Sequence, residues 1–523
     1  MEVRLRPRAI DVTGVRVVAL AGAGLFGMAV MAAAPGSPYQ PALTVQGRPS
    51  GPLTELARAI GFGTLHGFWL LSVSIVLSVV AAGGFLLLLR EAYRGRVSLR
   101  SVAVLVVGAH LALLFVPLLF SRDVYSYAIY GRIAGIYGAN PYVHTPLDHS
   151  GDLLWNYIGP KWVDTPAVYG PAWTSLSAGL SQVFRQPVDH VQIYRILAII
   201  ASLATCAAIV WVVRREWPER TAFALVAFGA NPVMLFHSVG SGHNDLWVAL
   251  AIITALGLVA RGHERGAVAV LTLGALVKAV AVLPLILLIV WAVGRRPAAE
   301  RRHVLSSMLG IAVTIGLAFA VPYLQWRDPT LGMFELAGHQ GWLSASMAFQ
   351  RIVDFVSFET MGGLVRVAFA AALIGSFVAL AREVWRRSAS LPLRGLAASW
   401  AWALLLLTVL GPVLLPWYVV WTLPLAWALP RPARASLIAI ASLLGVTLWS
   451  AEPMRFPLGF TLNTLVTQWV ILPIFVTLIV WSLRDLVSRV RIGLPLGGEE
   501  TAPAILPFPQ EAEDEEPVAA AAG

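Results

Sequence analysis

Long apolar stretches alternate with short polar, arginine-bearing segments along almost the whole chain. Val15 to Ala34, Phe68 to Leu89, Val102 to Phe120, Val304 to Val321 and Thr464 to Leu483 are continuous runs with no period-two alternation. Barrel strands would alternate, so the pattern predicts helices that satisfy their backbone internally. Such runs approach the roughly 20 residues that cross a hydrocarbon core of about 30 Å. The predicted fold class is all-α: a polytopic transmembrane helical bundle of about 14 membrane segments with partly helical outer loops.

Composition strengthens this reading. With 58% hydrophobic and 13% charged residues over 523 positions, no single water-soluble core would hide the apolar surface. A net charge of +10 raises the question of nucleic acid. The only lysines are Lys161 and Lys278, and the arginines fall between apolar runs, so membrane lipid is the expected partner and nucleic acid is not.

With Arg4, Arg6 and Arg8 taken as cytoplasmic, every second connection is basic, and that set holds 26 of the 38 Lys and Arg. The positive-inside rule then places both termini in the cytoplasm of a multi-pass plasma-membrane protein. The two largest connections, 121–190 and 324–363, fall on the outer face. Three parts are expected: two N-terminal helices in 1–100, a catalytic core in 101–484, and a cytoplasmic tail in 485–523. The acidic run Glu511 to Glu516 among Pro and Ala predicts disorder in that tail. The first run resembles a signal peptide and is expected to stay as an anchor. A lone cysteine, Cys206, excludes an intramolecular disulfide.

Candidate chemistry lies where polar residues interrupt this pattern. Asp123 follows the third apolar run, where a carboxylate is costly to desolvate and must either pair with Arg122 or work. Tyr125 and Tyr127 suit an aromatic belt or a sugar face, and Asp164 with Tyr169 is expected to point into the loop. His237 to Asp245 is a polar turn whose spacing matches no strong zinc pattern. Hydrogen bonding to substrate is the reading taken there, with a divalent metal or a plain helix cap at Asn244 or Asp245 as alternatives. No cofactor is expected. The run from Gly266 to Val293 is too long for one span, so a turn near Lys278 is predicted to split it. A lysine at membrane depth costs about 2.5–3.5 kcal/mol and marks function by default; an anionic lipid phosphate is its natural partner.

Four local sequences carry a family resemblance: Arg122-Asp123-Val124-Tyr125-Ser126-Tyr127, Tyr169-Gly170-Pro171, Asn231-Pro232 followed by Gly242-His243-Asn244-Asp245, and Leu276-Val277-Lys278. They resemble the actinobacterial polyprenol-phosphomannose-dependent α-1,6-mannosyltransferases, within the polytopic C-fold glycosyltransferases. The likeness in layout runs from Val102 to Leu483. It implies a polyprenyl-phosphate-mannose donor, a glycolipid or oligomannoside acceptor, inversion at the anomeric carbon, and Asp123 as general base. Lys278, His243, Arg351, Trp417 and Tyr418 are then expected at the donor phosphate and lipid. Arg122, Tyr125, Tyr127, Asp164, Tyr169, Asn244, Asp245 and His339 are expected at the sugar or acceptor. Two helices precede the one leading to Asp123, whereas in many superfamily members the key loop follows the first helix. An arabinose or other pentose donor fits the same residues. A secondary transporter or lipid flippase is the alternative of another class, disfavoured by the long outer loops and the lack of an internal repeat.

Overall fold

The computed structural model describes residues 12–43, 51–326, 344–357, 361–447, 461, 472–492 and 495–497. Seventeen α-helices are labelled here in chain order: α1 (Val12–Ala33), α2 (Pro52–Ala59), α3 (Gly67–Tyr93), α4 (Leu99–Ala112), α5 (Asp123–Gly135), α6 (Pro171–Val183), α7 (Pro187–Glu216), α8 (Thr221–Gly229), α9 (Asp245–Val259), α10 (Glu264–Val277), α11 (Val282–Gly294), α12 (Ala298–Ala320), α13 (Ala345–Ser357), α14 (Gly362–Arg387), α15 (Leu393–Leu410), α16 (Arg431–Thr447) and α17 (Leu472–Ile492). Among the described residues there is no strand. Among the described residues six helices are long and apolar enough to cross a membrane: α1, α3, α7, α12, α14 and α15. A seventh crossing arises if α8 and the π-helix Val233–Val239, which meet at a 45° bend, form one span. Leu99–Phe115, Asp245–Val259 and Ala279–Gly294 are shorter apolar helices. The protein is therefore an all-α polytopic membrane protein.

Sequence determines where these helices start and how closely they approach. Pro at the first position costs nothing there, since that N–H has no intrahelical acceptor, and Pro52, Pro171 and Pro187 open α2, α6 and α7. Ser98 caps α4 by accepting the Ser101 N–H at 3.0 Å. The two N-terminal spans pack through small residues: Gly24 lies over the Ala81 backbone, and Gly84 over that of Ala21. The interior is centred on α15 and the segment after it, where Trp400, Trp402 and Trp427 are fully buried. The spans α12 and α14 are almost unburied by protein and present their apolar faces outward to lipid.

The predicted break in the Gly266 to Val293 run occurs at Lys278, which is extended (φ −154°, ψ 129°) between α10 and α11. The 121–190 connection is a built structure: α5, three short 3-10 turns and α6. Tyrosine hydroxyls stitch it together, with Tyr130 donating to the Thr165 carbonyl (2.7 Å) and Tyr142 to that of Tyr169 (2.9 Å). A buried Arg132–Asp152 pair at 2.7 Å, with Tyr137 donating to the same carboxylate, ties α5 to the loop beyond it. Residues 327–343 and 358–360 of the 324–363 connection, and the tail from 498 onward, lie outside the described residues.

Candidate active site

Two carboxylates occupy equivalent positions, each as the first residue of a helix: Asp123 on α5 and Asp245 on α9. Unpaired N–H groups at a helix start favour negative charge there. Asp123 exchanges hydrogen bonds with Ser121: the Ser121 hydroxyl donates to Oδ1 at 2.8 Å and the Asp123 N–H donates to that hydroxyl oxygen at 3.1 Å. The Tyr169 hydroxyl also reaches this carboxyl. Arg122 turns away and donates to the carbonyls of Ala42 and Ile158. The alternative of an Arg122–Asp123 salt bridge is thereby set aside, and among the described residues no Lys or Arg pairs with Asp123.

The π-helix Val233–Val239 delivers the second carboxylate through a tight turn. Gly242 is left-handed there (φ 71°), and a Cβ on it would press into Val124. His243, Asn244 and Asp245 follow, all fully buried. His243 Nδ1 lies 3.4 Å from Asp123 Oδ2, 4.0 Å from Asp245 Oδ2 and 3.3 Å from the Tyr127 hydroxyl. Ringed by acceptor oxygens, Nδ1 is the nitrogen assigned the proton, which leaves Nε2 free. Asp245 Oδ1 accepts from Lys278 Nζ and from Trp421 Nε1, both at 2.7 Å. Trp417 stacks on His243 (3.9 Å, 21°), and the Lys278 ammonium sits 4.8 Å above the Tyr418 ring. Both aromatics belong to the 3-10 turn Pro416–Trp421.

Exposure distinguishes the two acids. The Asp245 side chain is fully buried, whereas that of Asp123 keeps 22% of its surface and that of Lys278 13%. The protein packed around the Asp123 carboxyl nonetheless raises its pKa above the usual carboxylate range, opposed by the Ser121 hydrogen bond and the Lys278 charge. His243 Nε2, Asn244 Nδ2, Asp245 Oδ2 and Trp417 Nε1 are buried without a hydrogen-bond partner among the described residues, so the site has binding capacity beyond its internal network. No group of three His, Cys, Asp or Glu suited to a metal ion occurs among the described residues.

Several sequence expectations change here. Tyr125 and Tyr127, at 2% and 1% exposure, offer no face to a sugar: Tyr125 packs on Tyr157, and Tyr127 buttresses His243 and Asn244 from behind. Asp164, expected inside the loop, is exposed in the turn that follows the 3-10 segment Pro160–Trp162. Asn244 occupies the N-cap of α9 without capping through its side chain. Lys278 has a protein partner in Asp245 where only a lipid phosphate was expected. Arg351 is exposed on α13 and joins no hydrogen bond or ion pair among the described residues. His339 lies outside the described residues. Sequence reasoning missed Ser121 and Trp421. The run Pro416-Trp417-Tyr418-Val419-Val420-Trp421 carried a signal for the latter, an aromatic repeated four positions on.

Gly170 joins two of the sequence motifs. Its N–H donates to the Val277 carbonyl at 3.0 Å, and a Cβ would stand 2.1 Å from the Leu276 carbonyl oxygen. The Tyr169 turn can thus press against the Lys278 break only through a glycine. Gly170→Ala is expected to destabilise the protein by about 1–3 kcal/mol and to lower the melting temperature of the detergent-solubilised protein; an unchanged melting temperature refutes this.

Fold and site together define a polytopic α-helical membrane protein with an acid–histidine–lysine centre where helix starts and a chain break converge. The chain belongs to the alpha-(1->6)-mannopyranosyltransferase family: the sequence model of that family's N-terminal domain matches residues 20–295, just over half of it. It is 27% identical over 356 residues to alpha-(1->6)-mannopyranosyltransferase A of Mycobacterium tuberculosis, covering 64% of this chain and 66% of that one. Against alpha-(1->6)-mannopyranosyltransferase B of Corynebacterium glutamicum the identity is 29% over 151 residues, 28% of this chain and 25% of that protein. Against alpha-(1->6)-mannopyranosyltransferase A of the same organism it is 29% over 174 residues, 33% and 35% of the two chains. The chain thus spans less than two thirds of the length of these relatives. No solved structure matches it.

Proposed function

We propose that this protein is an inverting membrane mannosyltransferase that moves mannose from a polyprenyl-phosphate-mannose donor to a glycolipid or oligomannoside acceptor, forming an α-1,6 linkage. The reaction takes place on the outer face of the plasma membrane, with both termini cytoplasmic. The observation that carries this reading is the unequal treatment of two adjacent carboxylates. Asp245 is neutralised by Lys278 and Trp421, whereas Asp123 has no cationic partner among the described residues and keeps an exposed edge. A base must be reachable and free of a fixed lysine or arginine, and among the described residues Asp123 is both. Mannose and the linkage are carried over from the activity for which the relatives are named.

In this mechanism the Asp123 carboxylate accepts the proton of an acceptor hydroxyl. The hydroxyl oxygen bonds to the anomeric carbon as the bond from that carbon to the phosphate oxygen breaks, and the electron pair leaves with the lipid phosphate. One displacement converts a β-linked donor into an α-linked product. Charge developing on the phosphate is met by Lys278, by the N–H groups at the start of α9, and by hydrogen bonding at the His243–Asn244 turn. Tyr418 and Trp417 flank this cation and imidazole and form the apolar wall toward the lipid.

Purified protein, radiolabelled polyprenyl-phosphomannose and an oligomannoside acceptor test this directly. Formation of an α-1,6-linked labelled product supports it; labelled substrate crossing a vesicle wall without transfer refutes it, and transfer of a pentose in preference to mannose refutes the donor assignment. The pH profile adds a second test. The base works deprotonated, so kcat falls as pH drops through the raised Asp123 pKa, giving an acid limb above the ordinary carboxylate range. Ser121→Ala removes the hydrogen bond that favours the ionised form and is expected to move that limb to higher pH.

A further inference from the structure

Arg195 lies on the membrane-spanning helix α7 with no exposed surface, and among the described residues no carboxylate pairs with it. A cation so placed is costly and marks function. Its guanidinium donates to three main-chain carbonyls: Val116 at 2.5 Å, Pro117 at 2.7 Å and Gly240 at 3.0 Å. Val116 and Pro117 begin the irregular segment that ends at Asp123, and Gly240 stands three residues before His243. One side chain thus ties together the two stretches of chain that bring Asp123 and the His243–Asp245 turn to one place.

Other contacts join the same two stretches. The Ser241 hydroxyl donates to the Leu119 carbonyl at 2.6 Å, and the Phe120 ring stacks on His237 at 3.9 Å. Gly240 packs so closely on Leu119 that a Cβ would stand 2.7 Å from its Cδ1. Phe120 adopts a left-handed backbone (φ 50°), a conformation that a non-glycine residue holds only where its surroundings impose it. The segment before Asp123 is therefore held in a conformation it would not choose alone, and the fork of Arg195 is the charged part of what holds it. Five N–H donors in a rigid plane can serve three carbonyls at once, which the single ammonium of lysine does less well.

We propose that Arg195 is a positioning residue that sets the separation between Asp123 and His243 from beneath the site. The inference rests on the reading of Asp123 as general base. It acts through backbone placement, so its loss changes the reaction step and the ionisation of Asp123 more than it changes donor binding.

The test compares wild type, Arg195→Met, Arg195→Lys, Ser241→Ala and Asp123→Asn in the mannosyl transfer assay across pH, with folded protein quantified by size exclusion. Arg195→Met is expected to lower kcat by about 10²-fold, to leave the donor KM within about threefold, and to displace the acid limb of the profile. Arg195→Lys recovers part of the rate. A folded Arg195→Met with unchanged kcat and acid limb overturns the proposal, as does a loss of rate that only tracks the loss of folded protein. If Arg195→Met does not fold, Ser241→Ala decides: a displaced acid limb supports the proposal, and an unmoved limb overturns it. An inactive wild type, or a fully active Asp123→Asn, sinks the general-base reading and this inference with it. An active wild type with an inactive Asp123→Asn and an unaffected Arg195→Met sinks this inference alone.

Discussion

Asp123→Asn is expected to lower sugar transfer by roughly 10²–10⁴-fold, the contribution typical of a positioned general base, while leaving donor binding and folding near wild type. The substitution keeps the shape of the side chain and a Ser121 contact, and it removes the oxygen that would hold the acceptor proton. Because no arginine or lysine among the described residues pairs with this carboxylate, neutralising it strands no buried cation. Single-turnover rates with preformed donor complex separate chemistry from binding. Near wild-type turnover in a well-folded preparation would reduce Asp123 to a structural partner of Ser121 and His243.

Lys278→Met has the opposite character, since it affects both stability and activity. Removing one partner of a buried ion pair leaves the other charge uncompensated, at a cost of roughly 3–5 kcal/mol. Asp245 would keep only the Trp421 indole N–H at Oδ1. The double variant Lys278→Met/Asp245→Asn is expected to regain most of the lost thermal stability while its transfer activity stays low, because neither charge then faces the leaving phosphate. Recovery of activity together with stability would show that Lys278 serves Asp245 alone.

How much of this was legible in the sequence depended on whether a residue's role is local. Asp123 and Lys278 stood out because a charge within apolar surroundings is conspicuous wherever the chain goes, and the break at Lys278 followed from a run too long for one helix. The helical class followed from continuous apolar runs. Tyr125 and Tyr127 were placed at the sugar because an aromatic at a helix mouth looks the same whether its face is open or packed; only the packing of Tyr157 on Tyr125, and of α6, α7 and the 237–245 turn around Tyr127, distinguishes the two cases. Asp164 was misplaced for a related reason, as a turn signal states where the chain bends and not which side faces out. Arg195 escaped notice because its three acceptors are backbone carbonyls, which leave no trace in side-chain identity. Trp421 was missed because its partner is distant in sequence.

That distance has a consequence for biogenesis. Asp245 and Trp421 are 176 residues apart, and the match to the family's N-terminal domain ends at residue 295, so the hydrogen bond joins that N-terminal unit to chain made much later. During synthesis the ribosome delivers α9 and the Lys278 break long before the 3-10 turn that roofs them. Closing this contact demands that α12, α14 and α15 be inserted and returned to the same place, a long-range closure that is slow compared with forming each helix. The centre is thus completed only near the end of membrane insertion, and a nascent or truncated chain ending before Trp421 would present the acid, the imidazole and the ammonium without the wall that encloses them.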